Sequence, residues 1–398
     1  MRVFGLGSVS RVIASLAVEN YRSLRSLVVE LGRLTVVTGG NGAGKSSLYR
    51  ALRLLADSAR NGAVAALARE GGLPSTLWAG PETISKAVRS GERPVQGTLR
   101  RGPVALRLGF AGDDLGYAID FGLPQSSAQS AFQLDPQVKR EAVWAGPVLR
   151  PATLLVERAG TMLRIRDGRA WSTFPDSVGP FDSMLSEYTD PQRAPELLTL
   201  RERVRSWRFY DQIRTDAGAP ARQLRIGTRT PVLGHDGADL AAALQTIREI
   251  GDDAALTAAI DAAFPGSELA IGTEGARLEV RLRQPGLLRP LGAAELSDGT
   301  LRYLLWAAAL LSPRPPALLV LNEPETSLHP ELIRPLSTLI AAGAERTQVV
   351  VVSHSGQLID ALARDTKPTR IELVKELGET RVEGQGRFDR PPWQWPKR

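Results

Sequence analysis

The chain has 398 residues, 43% hydrophobic and 23% charged, a globular balance with room for two or three units of about 100–200 residues. It has no cysteine and three histidines (His235, His329 and His354), which excludes disulfide scaffolds, thiolate zinc sites, iron–sulfur clusters and a cysteine nucleophile, and leaves a histidine metal cage poorly supplied. The net charge of +7 rests on arginine, with six lysines in the whole chain; it fits a nucleic-acid partner and fits equally the codon bias of a GC-rich genome.

In chain order, residues 11–18, 26–30 and 34–38 read as three short strands rich in Val, Leu and Ile, followed by a Gly-rich turn and a helix over 45–56. From about 95 to 175 the pattern is β-hairpins, with turns at Ala111-Gly112-Asp113-Asp114, Arg158-Ala159-Gly160 and Asp167-Gly168. Residues 180–212 read as helical, from the spacing of Leu197, Leu198, Leu200 and Val204. Ala-rich helices over 238–250 and 253–264 are closed by Gly251 and Pro265. The last third alternates: helix 299–312, strand 317–321, helix 330–342, strand 347–352, helix 356–364, strand 370–375. Such alternation predicts βαβ units on a mainly parallel sheet. The stretch 388–398, with Pro391, Pro392 and Pro396 around Trp393 and Trp395, reads as irregular. No apolar run approaches the ~18 residues of a membrane span, and the first residues lack a signal peptide's apolar core, so a soluble cytoplasmic protein with no membrane partner is expected.

Two segments carry the chemistry. Gly39-Gly40-Asn41-Gly42-Ala43-Gly44-Lys45-Ser46 fits G-x-x-x-x-G-K-[ST] in full, between an apolar strand and a helix. Glycines there let backbone N–H groups wrap phosphates at a helix N-terminus, where the helix dipole favours anions. Gly39, Asn41, Gly42, Ala43, Gly44, Lys45, Ser46 and Ser47 are the candidate nucleotide contacts. Lys45 is suited to the β- and γ-phosphates and the Ser46 hydroxyl to Mg²⁺. The second segment, Ala317-Leu-Leu-Val-Leu-Asn-Glu-Pro-Glu-Thr-Ser-Leu-His-Pro330, is a buried-type strand with acidic residues at its C-terminal end, the sheet edge at which α/β folds bind ligands. Glu323 is placed to orient or deprotonate an attacking water. Asn322 stands where an aspartate is usual, and its amide accepts from a magnesium-bound water without supplying charge.

These residues, with Glu295-Leu-Ser-Asp-Gly-Thr-Leu301 and Val349-Val-Val-Val-Ser-His-Ser355, resemble the RecF, SMC and OLD branch of the ABC-type ATPases. The first stretch is similar to the signature loop, with Asp298 where glycine is frequent; Glu325–Pro330 resembles the D-loop and His354 the switch histidine. The opening, Leu16-Ala-Val-Glu-Asn-Tyr-Arg-Ser-Leu24, is also typical of that branch, and Gln96 is the candidate for the Q-loop glutamine. The resemblance implies an α/β P-loop NTPase of the ABC-ATPase head type, with a mixed β-sheet, an antiparallel β subdomain and a helical insertion lobe. Its parts are expected at 1–175 (phosphate loop and β subdomain), 176–265 (helical lobe), 266–385 (signature, acidic strand and switch histidine) and 386–398 (irregular tail). It further implies an ATPase using ATP and Mg²⁺, with two copies sandwiching the nucleotide. In that arrangement Ser297 and Gly299 contact the γ-phosphate held by the other copy's Lys45, Glu323 acts on water, His354 senses the γ-phosphate, and Ser46 and Asn322 serve the metal. Ser297 is also suited to capping the helix that follows it, since a serine can cap in one state and bind phosphate in another.

The expected role is an ATP-dependent dimeric clamp or switch in DNA repair or anti-phage defence. The alternative is an ATP-gated scaffold for a separately encoded nuclease or effector, since residues after 360 are too few for a nuclease domain. Arginines at 89–107 and 201–229, the latter interleaved with Trp207, Phe209 and Tyr210, either track a DNA backbone and stack bases or form a solvated face around core aromatics.

Overall fold

The structure, a computed structural model, describes residues 11–60, 62–80, 104–124, 131–211, 213–386 and 388–398. Gln96 and the arginines at 89, 93, 100 and 101 lie outside them. The chain falls into two compact units. One contains residues 33–36 and 207–369; the other contains the described residues within 11–32, 37–206 and 370–398.

The second of these opens with the hairpin β1 (Ser15–Tyr21) and β2 (Leu24–Glu30), and β3 (Leu34–Gly39) leads from the first unit into the phosphate loop and the helix Lys45–Ser58. The helix buries Leu48, Leu52 and Leu55, one apolar stripe at spacings of four and three. Then come β4 (Leu106–Ala111), β5 (Leu115–Gly122), β6 (Gln137–Ala145), β7 (Leu154–Ala159), β8 (Met162–Asp167) and β9 (Ala170–Phe174). Among the described residues they make an eight-stranded antiparallel sheet in the order β2-β1-β4-β5-β6-β7-β8-β9. The hairpins expected at 111–114, 158–160 and 167–168 are present, each closed by the predicted turn. β6 escapes the sequence reading, because Lys139, Arg140 and Glu141 interrupt its apolar alternation.

A buried network explains Glu141. Arg158, with no exposed side-chain surface, pairs with Glu141 at 2.8 Å and donates to the carbonyls of Gly160, Gly179 and Asp182. Glu141 also accepts from Ser183 Oγ and Tyr117 OH, both at 2.6 Å. Residues 388–398 are irregular as expected, yet they pack: the rings of Trp393 and Trp144 meet edge-on at 5.7 Å, and Arg398 grips the buried Asp120 at 2.6 Å.

The first unit carries the parallel strands. Helices Met184–Glu187 and Pro195–Ser206 end before it, and the helix read over 180–212 is corrected at its end: Arg208–Tyr210 is strand β10, parallel to β15 (Leu318–Asn322). Trp207, Phe209 and Tyr210 are all buried, and a β-strand delivers such bulky rings to the core more readily than a further helical turn. β15 pairs in parallel with β16 (Gln348–Val352), which neighbours the start of β3. Both strands are apolar without alternation, as strands covered on two faces must be. Helices Leu240–Ile250, Asp253–Ala263, Asp298–Leu310, Ile333–Arg346 and Gly356–Asp365 supply the cover. A small sheet of β11 (Arg225–Ile226), β12 (Glu268–Glu274), β13 (Arg277–Arg283) and β14 (Leu291–Gly292) completes this unit. In the other unit, the end of β3 neighbours β17 (Thr369–Glu376), which pairs antiparallel with β18 (Glu379–Val382). None of the helices among the described residues is long and apolar enough to cross a membrane.

Candidate nucleotide site

The motif residues 39–47 lie together at the end of β3 and the start of the helix Lys45–Ser58. Gly44, the N-cap, has φ +110° and offers no side-chain cap, so the helix start presents backbone N–H groups rather than a side chain. A Cβ on Gly44 would stand 2.2 Å from Thr380 Oγ1, so this position is closed to any larger residue on two counts. Lys45 Nζ folds over the loop and donates to the carbonyls of Gly39 (2.6 Å) and Gly40 (3.2 Å), at the mouth where phosphate oxygens would compete for it. Ala43 N donates to Gly40 O at 3.1 Å, closing the turn. A glycine loop with a lysine at a helix N-terminus suits a polyphosphate.

Sequence reasoning missed the brace behind the loop. Thr380 Oγ1, on β18, lies 2.8 Å from both Ala43 O and Ser23 Oγ, and Ser23 Oγ lies 3.4 Å from Ser47 Oγ. A lone threonine more than 330 residues away carries no signal in the sequence.

The other unit brings Asn322, Glu323, Ser297, Gly299 and His354 onto neighbouring loops. Asn322 ends β15 opposite Val352 of β16. Glu323 N continues the ladder to Val352 O at 2.7 Å, but its φ is +48°, a left-handed conformation costing a non-glycine residue about 1–2 kcal/mol. Pro324 O accepts from the buried Trp306 indole at 2.9 Å, which holds the strained turn in place. Strain so supported aims the Glu323 side chain at His354, whose Nδ1 is 3.2 Å from Glu323 Oε1. Both groups are partly open to solvent.

Glu325 is the other residue that sequence reasoning left without a role. It is 9% exposed; one carboxylate oxygen accepts from Ser353 Oγ at 2.5 Å and lies 3.9 Å from His354 Nδ1, and the other has no hydrogen-bond partner. His354 Nδ1 thus faces two carboxylate oxygens, at 3.2 and 3.9 Å.

Ser297 is the N-cap of the helix Asp298–Leu310, its Oγ accepting from Thr300 N at 3.1 Å, as the capping alternative has it. Gly299 packs so closely that an added Cβ would be 3.0 Å from Ser327 O. Just upstream, Glu295 accepts from Arg289 and from Gly292 N, and the arginine pair holds its carboxyl down at about 2.

The arginine-rich segment resolves largely into internal pairing. Arg203 forks onto Asp114 and Arg214 onto Asp216, while Arg222 bonds Asp298 through Nη2 and Arg229 meets Glu249. Trp207, Phe209 and Tyr210 are core residues and present no ring to stack on a base.

The family model described as "AAA domain, putative AbiEii toxin, Type IV TA system" matches residues 34–360. No curated protein matches the chain. Among solved structures, an SMC head bound to the C-winged helix domain of ScpA is similar at 13% identity and TM-score 0.50, covering 93% of this chain and 96% of its own. The SMC head domain from Thermotoga maritima matches at 15% identity and TM-score 0.46, over 93% and 97%, and the Smc head from Pyrococcus furiosus with an extended coiled coil, bound to the C-terminal domain of ScpA, at 12% and 0.47, over 93% and 95%. The likeness is one of fold: a mixed α/β P-loop ATPase resembling the SMC and ABC heads.

Proposed function

The chain belongs to the AAA-domain family whose model spans residues 34–360, and from that premise we propose that it binds ATP with Mg²⁺, hydrolyses it, and works as a dimeric ATP-dependent clamp or switch. The observation that carries this reading is the strained Glu323, aimed at His354 across 3.2 Å at the end of a buried parallel strand. Family membership implies a nucleotide, and the glycine loop with Lys45 suits its phosphates.

In this reading Gly39, Asn41, Gly42, Ala43, Gly44, Lys45, Ser46 and Ser47 bind the phosphates, and Ser46 and Asn322 hold Mg²⁺ through oxygen donors. Mg²⁺ supplies charge neutralisation at the phosphates when bound. Glu323 takes the proton of the attacking water. His354, held at Nδ1 beside Glu323, contacts the γ-phosphate and registers its loss. Ser297 and Gly299 reach the γ-phosphate bound by a second copy, so that hydrolysis needs the dimer.

The pathway proposed is cytoplasmic anti-phage defence or DNA repair, the family's toxin–antitoxin description favouring the former. A second reading, a scaffold gated by ATP for a separately encoded nuclease or effector, is favoured by the internal pairing of the 201–229 arginines, which leaves that segment poorly suited to DNA.

Size-exclusion of Glu323→Gln with ATP, with and without DNA, tests the proposal. The expected outcome is a stable ATP-bound dimer, lost when Lys45→Ala is added. A monomer in the Glu323→Gln background contradicts the sandwich, and an elution position unmoved by any DNA favours the scaffold.

A further inference from the structure

We infer that Arg222 is the positioning residue of the signature loop, and that Asp298 stands in place of the frequent glycine because it completes the clamp Arg222 forms.

The Arg222 side chain is 8% exposed, and its guanidinium is used on every side. Nε donates to Thr215 O at 2.8 Å. Nη1 donates to Leu296 O at 2.6 Å, Ala293 O at 2.9 Å and Ala294 O at 3.3 Å, and Nη2 to Asp298 Oδ1 at 2.7 Å. The acceptors at 293, 294 and 296 are carbonyls in and just after the short 3₁₀ turn Ala293–Glu295. Leu296 and Asp298 flank Ser297, so one planar cation holds the carbonyl before and the side chain after the residue proposed to meet the γ-phosphate. Gly299 packs close against Ser327 O, which further confines the loop.

A buried guanidinium needs a counter-charge, and carbonyls alone do not provide one. Glycine at 298 would leave Arg222 with dipoles only. Aspartate supplies the charge while remaining in the helix's first turn, where an acidic side chain also suits the dipole. Lysine could not replace Arg222, since a point charge on a flexible stem cannot span three carbonyls and a carboxylate in fixed geometry.

This inference rests on the reading that Ser297 and Gly299 meet nucleotide, and two separate measurements keep the two apart. The first is amide hydrogen exchange at residues 296–300 without nucleotide. Arg222→Ala, Arg222→Lys and Asp298→Gly are each expected to speed exchange there by tenfold or more while the strands β15 and β16 stay protected; unchanged exchange overturns the clamp. The second is the ATPase rate alongside the Kd for a fluorescent ATP analogue. Misplacement of a reacting group by about 1 Å costs on the order of 10²-fold, so kcat is expected to fall by about that much with Kd within twofold. The Arg222→Ala/Asp298→Gly double variant is expected to be no slower than Arg222→Ala alone, because both changes break one device. Additive losses overturn the pairing. Faster exchange with wild-type turnover leaves the clamp standing and overturns the nucleotide role of the loop. If Arg222→Ala does not fold, Arg222→Lys and Asp298→Gly carry both measurements.

Discussion

Asn322 is where this chain departs most sharply from the ATPases it resembles. An amide at the end of β15 offers one neutral oxygen where a carboxylate would offer charge, so Asn322→Asp is expected to tighten Mg²⁺ binding by roughly tenfold and to raise turnover. Mg²⁺ titration of the ATPase rate checks this, and unchanged hydrolysis would mean that the amide suffices. Glu295 permits a pH prediction. Its carboxyl is held down at about 2 by Arg289, below the usual 4.5, so the ionised, paired form is favoured by folding. The contribution is present in full above about 4.5 and is lost as pH falls toward 2. An NMR titration of the Glu295 carboxyl should show the low midpoint, and Arg289→Ala should return it to the ordinary range. Residue by residue, the glycine loop, Lys45 and Glu323 are legible in the sequence because their spacing is itself the motif. Arg222, Thr380 and Glu325 are not, because their roles depend on hydrogen-bond partners brought to them by folding.

The phosphate loop is shaped as much by β18 as by its own glycines. Gly44→Ala introduces a Cβ 2.2 Å from Thr380 Oγ1 at a φ that L-residues avoid, so the loop must shift. The expected result is loss of nucleotide binding with a stability cost of about 1–2 kcal/mol, measured by calorimetry and thermal melting. Thr380→Val keeps the volume and removes the hydroxyl, and should cost about 1 kcal/mol with a smaller drop in affinity. Elements with continuous apolar runs, β15 and β16, are readable because burial on two faces writes itself into composition. β6 and β10 are not. The first carries charges that break its apolar alternation, among them Glu141, paired with the buried Arg158, and the second is three residues long, with its place set by pairing to β15.

At the scale of the molecule, the antiparallel unit depends on the ion pair Arg158–Glu141 at its centre. Arg158→Met is expected to destabilise that unit by about 3–5 kcal/mol, because Glu141 is left buried and unpaired, and replacing both residues with apolar ones should recover much of the loss. Denaturant melts of the two variants measure the difference. The sequence by itself determined the P-loop class of the fold, the alternation of strands and helices in the last third, and the hairpins, since each of these is written in local spacing and periodicity. Only the tertiary structure decided which arginines are occupied, that Trp207, Phe209 and Tyr210 serve the core, and that the irregular 388–398 segment packs on the antiparallel sheet. The physical reason is that a charge or an aromatic ring reads the same in sequence whether it faces solvent, a ligand or a buried partner. What separates those cases is which distant groups the fold brings within about 3 Å for a charge, or within packing distance for a ring.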